Sequence, residues 1–388
     1  MINLSQFLAL LRLALIAGLL TQLNGHVLGA EANRVDVWIG TGSAWPSRGI
    51  YHTHLNVETG KLSRPSLVAE VQGPGFLAMH PKETHLYAVG TIDGKGSVIC
   101  YAIQREGNKA ELSLLNSVEI GDGGGTHVSV HSSGQFLLTA QYGGGSVGVF
   151  ALNSNGSIKG RNQLIEHSGA SRVTGNRQDA PHPHWTGFSP DGRFAFVPDL
   201  GLDKVIIYKV DAANARIDMQ GYAATPPGGG PRHMKFHPNG KWAYVLNELS
   251  LSVTVYDYDD RNGSMTAKQT IPSVPREQLI LEHFTSASEI RVHPSGDFVY
   301  SANRGHDTIT AYRVADETGE LTVIEREHVR GATPRNFNIE PAGKWLLAAG
   351  QDSHTLASFG IDQHTGALTY NRNVVHAPSA ICVLFSHE

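Results

Sequence analysis

The sequence predicts an all-β fold, a seven-bladed β-propeller with four-stranded blades, in which the C-terminal strand joins the N-terminal blade and closes the ring. Three observations predict it. A strand–turn–strand unit occurs six times, an outer hairpin occurs seven times, and the two ends of the chain carry matching partial strands. Successive units start 47 to 58 residues apart, which is the length of a four-stranded propeller blade.

The inner unit is a turn rich in Pro, Ser and Gly, followed by alternating aromatic and aliphatic residues. Glycine supplies the positive φ that the turn needs, and the alternation is the period of a β-strand. The copies begin at His80, His131, Ser189, His237, His293 and Glu340. We expect the repeated His237 and His293 to join neighbouring blades by hydrogen bonds rather than to bind a ligand.

The outer hairpins give an independent count. Their turn sequences begin at Glu58, Gly107, Asn153, Asp211, Arg261, Glu317 and His364. One inner unit is therefore missing, which is explained if one blade is divided between the chain ends. VDVWIG from Val35 fits a second strand, and APSAICVLF from Ala377 fits a first strand. A ring closed in this way leaves no exposed strand edge.

Composition and charge exclude several function classes. The net charge of −4 and the absence of a Lys/Arg run argue against nucleic acid and against a membrane surface as partners.

Residues 1–30 predict a signal peptide and residues 31–388 the propeller, because the apolar stretch 7–20 is too short to span a bilayer. We therefore expect an exported protein, periplasmic or secreted, that is free of the membrane after cleavage. An uncleaved anchor is the alternative. Cys100 and Cys382 each lie in an apolar run and are expected to be buried free thiols.

Polar residues converge on one face of the predicted ring. In an antiparallel blade, the start of the innermost strand and the end of the second strand share one face, and here those positions are nearly all polar. The opposite ends carry turn residues only. The residues predicted to bind substrate are His127, His182, Asp199, His233, Asn247, Glu289, Arg335 and Gln351. Any one of them taken alone has an alternative interpretation as a buried contact between blades.

The residue types on this face favour acid–base chemistry on an anion. Arg232, Arg304 and Arg335 suit a carboxylate, a phosphate or an oxyanion, and His184 and Glu248 suit a general acid and base. The His182-Pro-His184 pair suggests a metal, but no third ligand can be identified from the sequence. We therefore predict no metal and no cofactor at this face.

Four segments resemble one known family. They are PHPHWTGFSPDGRFAFVPDLGLDKVIIY, GGGPRHMKFHPNGKWAYVLNEL, SEIRVHPSGDFVYSANRGHDTITAY and TPRNFNIEPAGKWLLAAGQDSHTLASF. They are similar to the seven-bladed propeller lactonases, which include propeller-type 6-phosphogluconolactonases and carboxymuconate-lactonizing enzymes. The resemblance spans residues 35–386. It implies a metal-independent enzyme with His184, Arg232, Glu248 and Arg304 as catalytic residues.

The favoured function is a lactonase that opens a sugar-acid lactone, of the 6-phosphogluconolactonase type, in carbohydrate metabolism. Glu248 or His184 would activate water. Export favours a lactone without phosphate. Two alternatives stay open, a muconate-type lactonizing cyclase and a non-enzymatic exported propeller that binds a ligand or a partner protein. The expected partner is a small anionic lactone or sugar acid, and the expected state is a monomer. The long loops 167–180 and 272–287 are candidate lids over the site.

Overall fold

The protein is a ring of seven antiparallel sheets, each with four strands. The computed structural model describes residues 33–106, 109–279 and 284–386. Neighbouring blades pack against each other, and the first blade touches both the second and the last. The predicted seven-bladed propeller is therefore confirmed. The predicted signal peptide lies outside the described residues.

Each blade runs from an innermost to an outermost strand. Blade 1 is β28 (Ala380–Phe385), β1 (Arg34–Thr41), β2 (Gly49–Asn56) and β3 (Ser66–Glu70). Blade 2 is β4 (Gln72–Met79), β5 (His85–Ile92), β6 (Lys95–Glu106) and β7 (Lys109–Glu119). Blade 3 is β8 (His127–Val130), β9 (Phe136–Gln141), β10 (Ser146–Leu152) and β11 (Ile158–Glu166). Blade 4 is β12 (Gly187–Phe188), β13 (Phe194–Asp199), β14 (Lys204–Asp211) and β15 (Arg216–Ala224).

The remaining three blades follow the same plan. Blade 5 is β16 (Pro231–Phe236), β17 (Trp242–Asn247), β18 (Ser252–Asp259) and β19 (Ser264–Pro272). Blade 6 is β20 (Ser286–Val292), β21 (Phe298–Arg304), β22 (Thr308–Val314) and β23 (Leu321–His328). Blade 7 is β24 (Pro334–Ile339), β25 (Trp345–Gly350), β26 (Thr355–Ile361) and β27 (Leu368–His376).

The two ends of the chain meet in blade 1, as predicted. Strand β28 pairs antiparallel with β1, from Val37 opposite Phe385 to Thr41 opposite Ala380. The core lies between blades, because both faces of each sheet are covered by a neighbour. At the closure, Val37 and Phe385 of blade 1 pack with Leu347 of blade 7 in one buried cluster. Closing the ring thus buries apolar side chains as well as pairing the strand edge.

The repeated histidines join adjacent blades. His237 donates a hydrogen bond through Nε2 to the carbonyl of Gly296 at 3.0 Å, and His293 does the same to Gly343 at 2.8 Å. The acceptor is a turn glycine of the next blade with positive φ, and a Cβ on Gly296 would lie 2.6 Å from the His237 ring. The turn therefore needs glycine both for its φ and for this close approach. The prediction that these two histidines are structural is confirmed.

Little of the described chain is helical. A 3₁₀ turn (Gly175–Arg177) lies in the long loop between blades 3 and 4, and helix α1 (Arg276–Leu279) lies in the long loop between blades 5 and 6. No helix in the described ranges is long and apolar enough to cross a membrane. Cys100 and Cys382 are buried and free, as expected.

Candidate active site

The strand register brings the predicted polar positions to one end of the blades, which we call the mouth. Pro231 pairs with Asn247 in blade 5, and Pro334 pairs with Gly350 in blade 7. In blade 6, β20 begins at Ser286, which pairs with Arg304. The starts of innermost strands and the ends of second strands are thus direct neighbours at the mouth.

Glu248 is the centre of the charged contacts at the mouth. Its Oε1 lies 2.6 Å from Nη2 of Arg177 and 3.2 Å from Nη2 of Arg304, and its Oε2 lies 2.9 Å from Nε of Arg232. Burial by itself raises the pKa of Glu248, but the positive charges of Arg304, Arg232 and Arg177 outweigh it and lower the pKa below the ordinary value. Glu248 is therefore an ionised carboxylate held by three guanidinium groups.

The arginines at the mouth differ in what they contact. Arg232 also donates through Nη1 to the carbonyl of Ser288, and Arg304 donates to the carbonyl of Ala287 at 3.0 Å. Burial beside Arg304 lowers the pKa of Arg232 to about 9, so this guanidinium is still protonated at neutral pH. Arg335 makes no side-chain hydrogen bond or ion pair with the described residues and faces the cavity. Of these groups, Arg335 is the one free to take a ligand anion.

His184 lies buried against the same space. Its Nδ1 is shielded from solvent and has no hydrogen-bond partner among the described residues. Burial, helped by the charges of Arg232, Arg335 and Arg304 and by the His233 ring, lowers the pKa of His184 well below its ordinary value. His184 is thus a neutral imidazole at pH 7 whose Nδ1 is not occupied by a protein hydrogen bond.

A buried chain of hydrogen bonds connects Arg232 to His233, Glu289 and Asn336. His233 donates from Nδ1 to Oε1 of Glu289 at 3.1 Å and accepts at Nε2 from Nη1 of Arg232 at 3.3 Å. Oε2 of Glu289 accepts from the amide of Asn336. His233 lines the cavity, whereas Glu289 is fully buried and lies inside β20 rather than at its start. Glu289 thus fixes the tautomer of His233, and its substrate contact stays a prediction.

His127 stands next to this chain. Its ring lies 5.6 Å from that of His233 and 4.0 Å from that of Phe76, and its Nδ1 accepts from the Thr186 amide at 3.3 Å. Burial lowers the pKa of His127 well below its ordinary value. His127 is therefore a neutral side chain packed behind the cavity wall.

Asp199 and His182 hold the turn that follows β13. Oδ1 of Asp199 accepts from the amides of His182 at 2.8 Å and Gly201 at 3.0 Å, and Oδ2 lies 2.6 Å from Nδ1 of His167. His182 itself donates to the carbonyl of Tyr142 at 2.8 Å. These contacts occupy both oxygens of Asp199, and neither residue lines the cavity. Substrate binding by Asp199 and His182 stays a prediction.

Asn247 repeats a contact found in the next blade. Its amide donates to Ser252 at 3.0 Å and Thr254 at 2.9 Å, and Asn303 does the same to Thr308 and Thr310. The recurrence indicates a structural role within each blade. Gln351 has a buried Oε1 without a partner in the described chain and does not line the cavity. Substrate binding by Asn247 and Gln351 stays a prediction.

Two residues of the site were absent from the predicted set. Arg177 reaches Glu248 from the loop 167–180, and its Nη2 also donates to the hydroxyl of Tyr142 at 3.2 Å. Tyr142 stacks on His182 with ring centroids 4.4 Å apart. The length of the loop predicted a lid, but nothing in its sequence distinguished Arg177 from Arg172. Tyr142 directly follows the second strand β9, which is a position that the strand-end pattern assigns to the mouth.

The cavity between these groups has a volume of about 180 Å³. Its lining residues are Gly75, Phe76, Gly125, Thr126, His184, Arg232, His233, Arg335 and Ile381. They come from blades 1 to 5 and 7, so that the ring must be closed for the cavity to exist. Within it a neutral imidazole faces guanidinium groups, an arrangement that can remove a proton from water and stabilise a developing negative charge.

Comparison with known proteins identifies the family. The sequence profile of the family "Lactonase, 7-bladed beta-propeller" matches residues 36–385. This chain belongs to the seven-bladed β-propeller lactonase family. The resemblance seen in the sequence is therefore confirmed.

Relatives of this lactonase family cover nearly the whole chain. A 6-phosphogluconolactonase of Bacillus subtilis is 36% identical over 354 residues, 90% of this chain and 98% of the relative. A 6-phosphogluconolactonase of Formosa agariphila is 32% identical over 83% of this chain and 91% of the relative. The solved structure of a periplasmic gluconolactonase of Pseudomonas aeruginosa has a TM-score of 0.83 and 29% identity, over 91% of this chain and 99% of that one.

Proposed function

We propose that this protein is an exported lactonase that hydrolyses the cyclic ester of a sugar acid, with His184 as the general base. The observation that carries the proposal is the neutral His184, which lies in a cavity beside Arg232 and Arg335 without a protein partner at Nδ1. The names of the bacterial relatives, 6-phosphogluconolactonase and gluconolactonase, support this substrate class. The periplasmic location of the Pseudomonas aeruginosa gluconolactonase supports export.

The reaction follows from the charges in the cavity. His184 removes a proton from a water molecule as its oxygen attacks the lactone carbonyl carbon. Arg335 and Arg232 stabilise the negative charge that develops on the carbonyl oxygen. The ring C–O bond then breaks, and the imidazolium of His184 returns the proton to the leaving alkoxide. The product is an open-chain hydroxy acid; its carboxyl group releases the second proton of the water to solvent, and the resulting carboxylate remains paired with the arginines until it leaves.

Glu248 acts in this proposal as a positioning residue rather than as the base. A carboxylate held by Arg177, Arg232 and Arg304, with a lowered pKa, is a weak acceptor for a proton from water. Its charge instead fixes Arg232 and Arg304 beside the cavity. The four guanidinium groups at the mouth, counting Arg335, outnumber the single Glu248 carboxylate and favour an anionic transition state.

The cavity size supports a small substrate. Sites for drug-sized ligands usually have volumes of about 300–1,000 Å³. The cavity here, of about 180 Å³, is smaller and suits a single sugar ring. Both D-glucono-1,5-lactone and its 6-phosphate meet this description, and the ratio of their kcat/KM values decides whether Arg335 binds a phosphate or only the charge formed during the reaction.

The test is lactone hydrolysis by purified mature protein, with the spontaneous rate subtracted. We expect His184→Asn to lower kcat by about 10²–10⁴-fold, the usual contribution of a general base, with little change in KM. His376→Asn, which changes an exposed histidine on β27, serves as the matched control and keeps wild-type rates. A folded His184→Asn protein with nearly full kcat would refute the base assignment. Wild-type protein without turnover on either lactone would refute the lactonase.

A further inference from the structure

A second cluster of chemically active side chains lies in blade 1, far from the mouth along the strands. It consists of Asp36 on β1 and of His52 and His54 on β2, and we call it the blade-1 cluster. Asp36 and His54 are register partners in the antiparallel pair, and His52 is two residues from His54. Side chains at i and i+2 of a strand, and directly across from it, point to the same face. The backbone therefore presents all three together.

The distances between the ligand atoms suit a tetrahedral metal ion. Oδ1 of Asp36 lies 3.0 Å from Nε2 of His52 and 3.2 Å from Nδ1 of His54, and the three atoms lie within 4.8 Å of one another. Zinc bonds to nitrogen and oxygen of about 2.0–2.2 Å place tetrahedral ligand atoms about 3.4 Å apart. No other group of three His, Cys, Asp or Glu side chains meets this criterion in the ranges the structure describes.

The surroundings of the cluster provide orientation and access. The second carboxylate oxygen of Asp36 accepts from Nε of Arg105, in blade 2, at 2.9 Å, so that the first oxygen is turned towards the histidines. A cavity of about 600 Å³ is lined by His52 and His54 together with residues of β3 and β7. Zinc held by three protein ligands takes water in its fourth position, and the cavity beside His52 and His54 gives water access to this part of the cluster. A hydrogen bond from an outer residue such as Arg105 commonly fixes the orientation of a ligating carboxylate.

The blade-1 cluster is separate from the candidate active site. Strand β1 ends at Thr41 on the mouth side, because the second strand of every blade ends there, and Asp36 lies near its beginning. The active-site cavity has none of the three cluster residues in its lining. A ligand at the cluster would connect β1 with β2 in the blade that closes the ring.

We propose that Asp36, His52 and His54 bind one divalent metal ion of the zinc type at the rim of blade 1, where it stabilises the closed ring without taking part in lactone hydrolysis. A ligand that binds only the folded state stabilises it according to its concentration relative to Kd. The competing explanation is a purely structural network in which both histidines hydrogen-bond to Asp36 without metal.

Equilibrium dialysis of tag-free, chelator-treated protein against Zn²⁺ separates these explanations. We expect one tightly bound equivalent in the wild type. We expect Asp36→Asn and His54→Gln each to weaken binding by about tenfold or more, because loss of a ligand should cost at least as much as loss of an outer partner. His354→Gln removes a histidine from the ring contact between His354 and His376, elsewhere in the fold, and should bind Zn²⁺ as the wild type does.

Two further readouts use the same proteins. At one Zn²⁺ concentration, the thermal unfolding midpoint of the wild type and of His354→Gln should rise by more than that of Asp36→Asn or His54→Gln. Co²⁺ in place of Zn²⁺ should give the visible absorption of a tetrahedral complex only in the first pair. Absence of a bound equivalent, or equal binding by all variants, would overturn the proposal. Loss of lactone hydrolysis on chelation would overturn the separation of this metal from the reaction.

Discussion

A carboxylate and an imidazole lie in the same buried region at the mouth, and their surroundings keep one charged and the other neutral. Glu248 is ionised because Arg304, Arg232 and Arg177 favour its negative form. His184 is neutral because burial and the same positive groups disfavour its protonated form. Pairs of groups whose environments separate their charge states in this way commonly reveal the acid–base assignment of an active site. Here they assign proton transfer to His184 and positioning to Glu248.

The pH dependence of hydrolysis tests this assignment. A general base must be unprotonated, and the pKa of His184 is lowered, so the acidic limb of kcat/KM should lie below pH 6.5, the ordinary histidine value. Arg335→Gln removes a positive charge that contributes to the shift. The pKa of His184 should then rise, and the limb should move to higher pH, whatever happens to the absolute rate.

The control for this profile is Arg330→Gln, which changes an arginine paired with Glu327 outside the cavity. Its limb should coincide with that of the wild type. A wild-type limb at or above pH 6.5, or a limb that stays in place in Arg335→Gln, would show that another group limits the reaction.

Among the connecting elements, the loop 167–180 and the glycine turn before β16 are held by one carboxylate. Oδ1 of Asp203 accepts from the Gln178 side chain at 2.7 Å and from the Gly230 amide at 2.9 Å. Its Oδ2 accepts from the Gly228 amide at 2.7 Å and from the hydroxyl of Ser171. The loop carries Arg177 and the turn precedes Arg232, so Asp203 sets the position of two arginines around Glu248 from outside the cavity.

Asp203→Ala should therefore affect both stability and substrate binding. It leaves the amides of Gly228 and Gly230 without an acceptor, and an unsatisfied buried group costs about 1–3 kcal/mol of unfolding free energy. Asp203→Asn keeps one acceptor oxygen, so its free energy of unfolding should fall by less than that of Asp203→Ala. Urea unfolding measures the first effect, and a rise in KM for the lactone measures the second.

Asp218→Ala, which removes an exposed carboxylate on β15, is the matched control and should change neither quantity. If Asp203→Ala lowers stability and leaves KM unaltered, the loop does not contribute to substrate binding, and the role of Asp203 is structural alone.

For the whole molecule, stability depends on the pairing of β28 with β1. Deleting residues 378–388 removes that strand, exposes the backbone edge of β1 and uncovers Val37 and Leu347. We expect the shortened chain to aggregate or to lose its cooperative unfolding transition, because open edges and exposed apolar surface favour association. Circular dichroism during heating and size-exclusion chromatography measure these effects.

Deleting residues 387–388 alone leaves β28 whole and should preserve the wild-type unfolding midpoint. A synthetic peptide with the sequence of residues 377–386, added during refolding, should pair with β1 and restore the cooperative unfolding transition of the variant that lacks residues 378–388. A longer deletion that stays monomeric with a wild-type midpoint would show that the ring does not need its closing strand.

The fold was predictable because its signals are local. Turn glycines and alternating side chains repeat in every blade. An open ring would leave the backbone edge of β1 unpaired, so the C-terminal strand is expected to pair with it. The mouth was predictable for the same reason, since strand direction alone determines which ends share a face. The pairing of Glu248 with Arg177 was not, because the path of a long loop follows no period.

The blade-1 cluster shows a different limit of sequence analysis. In the sequence, the His182-Pro-His184 pair suggests a metal, but in the structure His182 bonds to the carbonyl of Tyr142 and His184 packs on the ring of His233. The His52-Thr53-His54 pair has the same spacing within a strand, and its third ligand, Asp36, is adjacent only through strand register. Register between β1 and β2 had to be known before these three side chains could be recognised as a group.

The division of blade 1 between the chain ends also fixes when the protein can finish folding. Synthesis proceeds from the N-terminus, so β1 is made before blades 2 to 7 and β28 after them. Until the final segment has been released, blade 1 lacks its innermost strand, and the cavity lacks Ile381. Blades 2 to 7 are each built from consecutive strands and can form in order, whereas the active centre is completed only once β28 has joined β1.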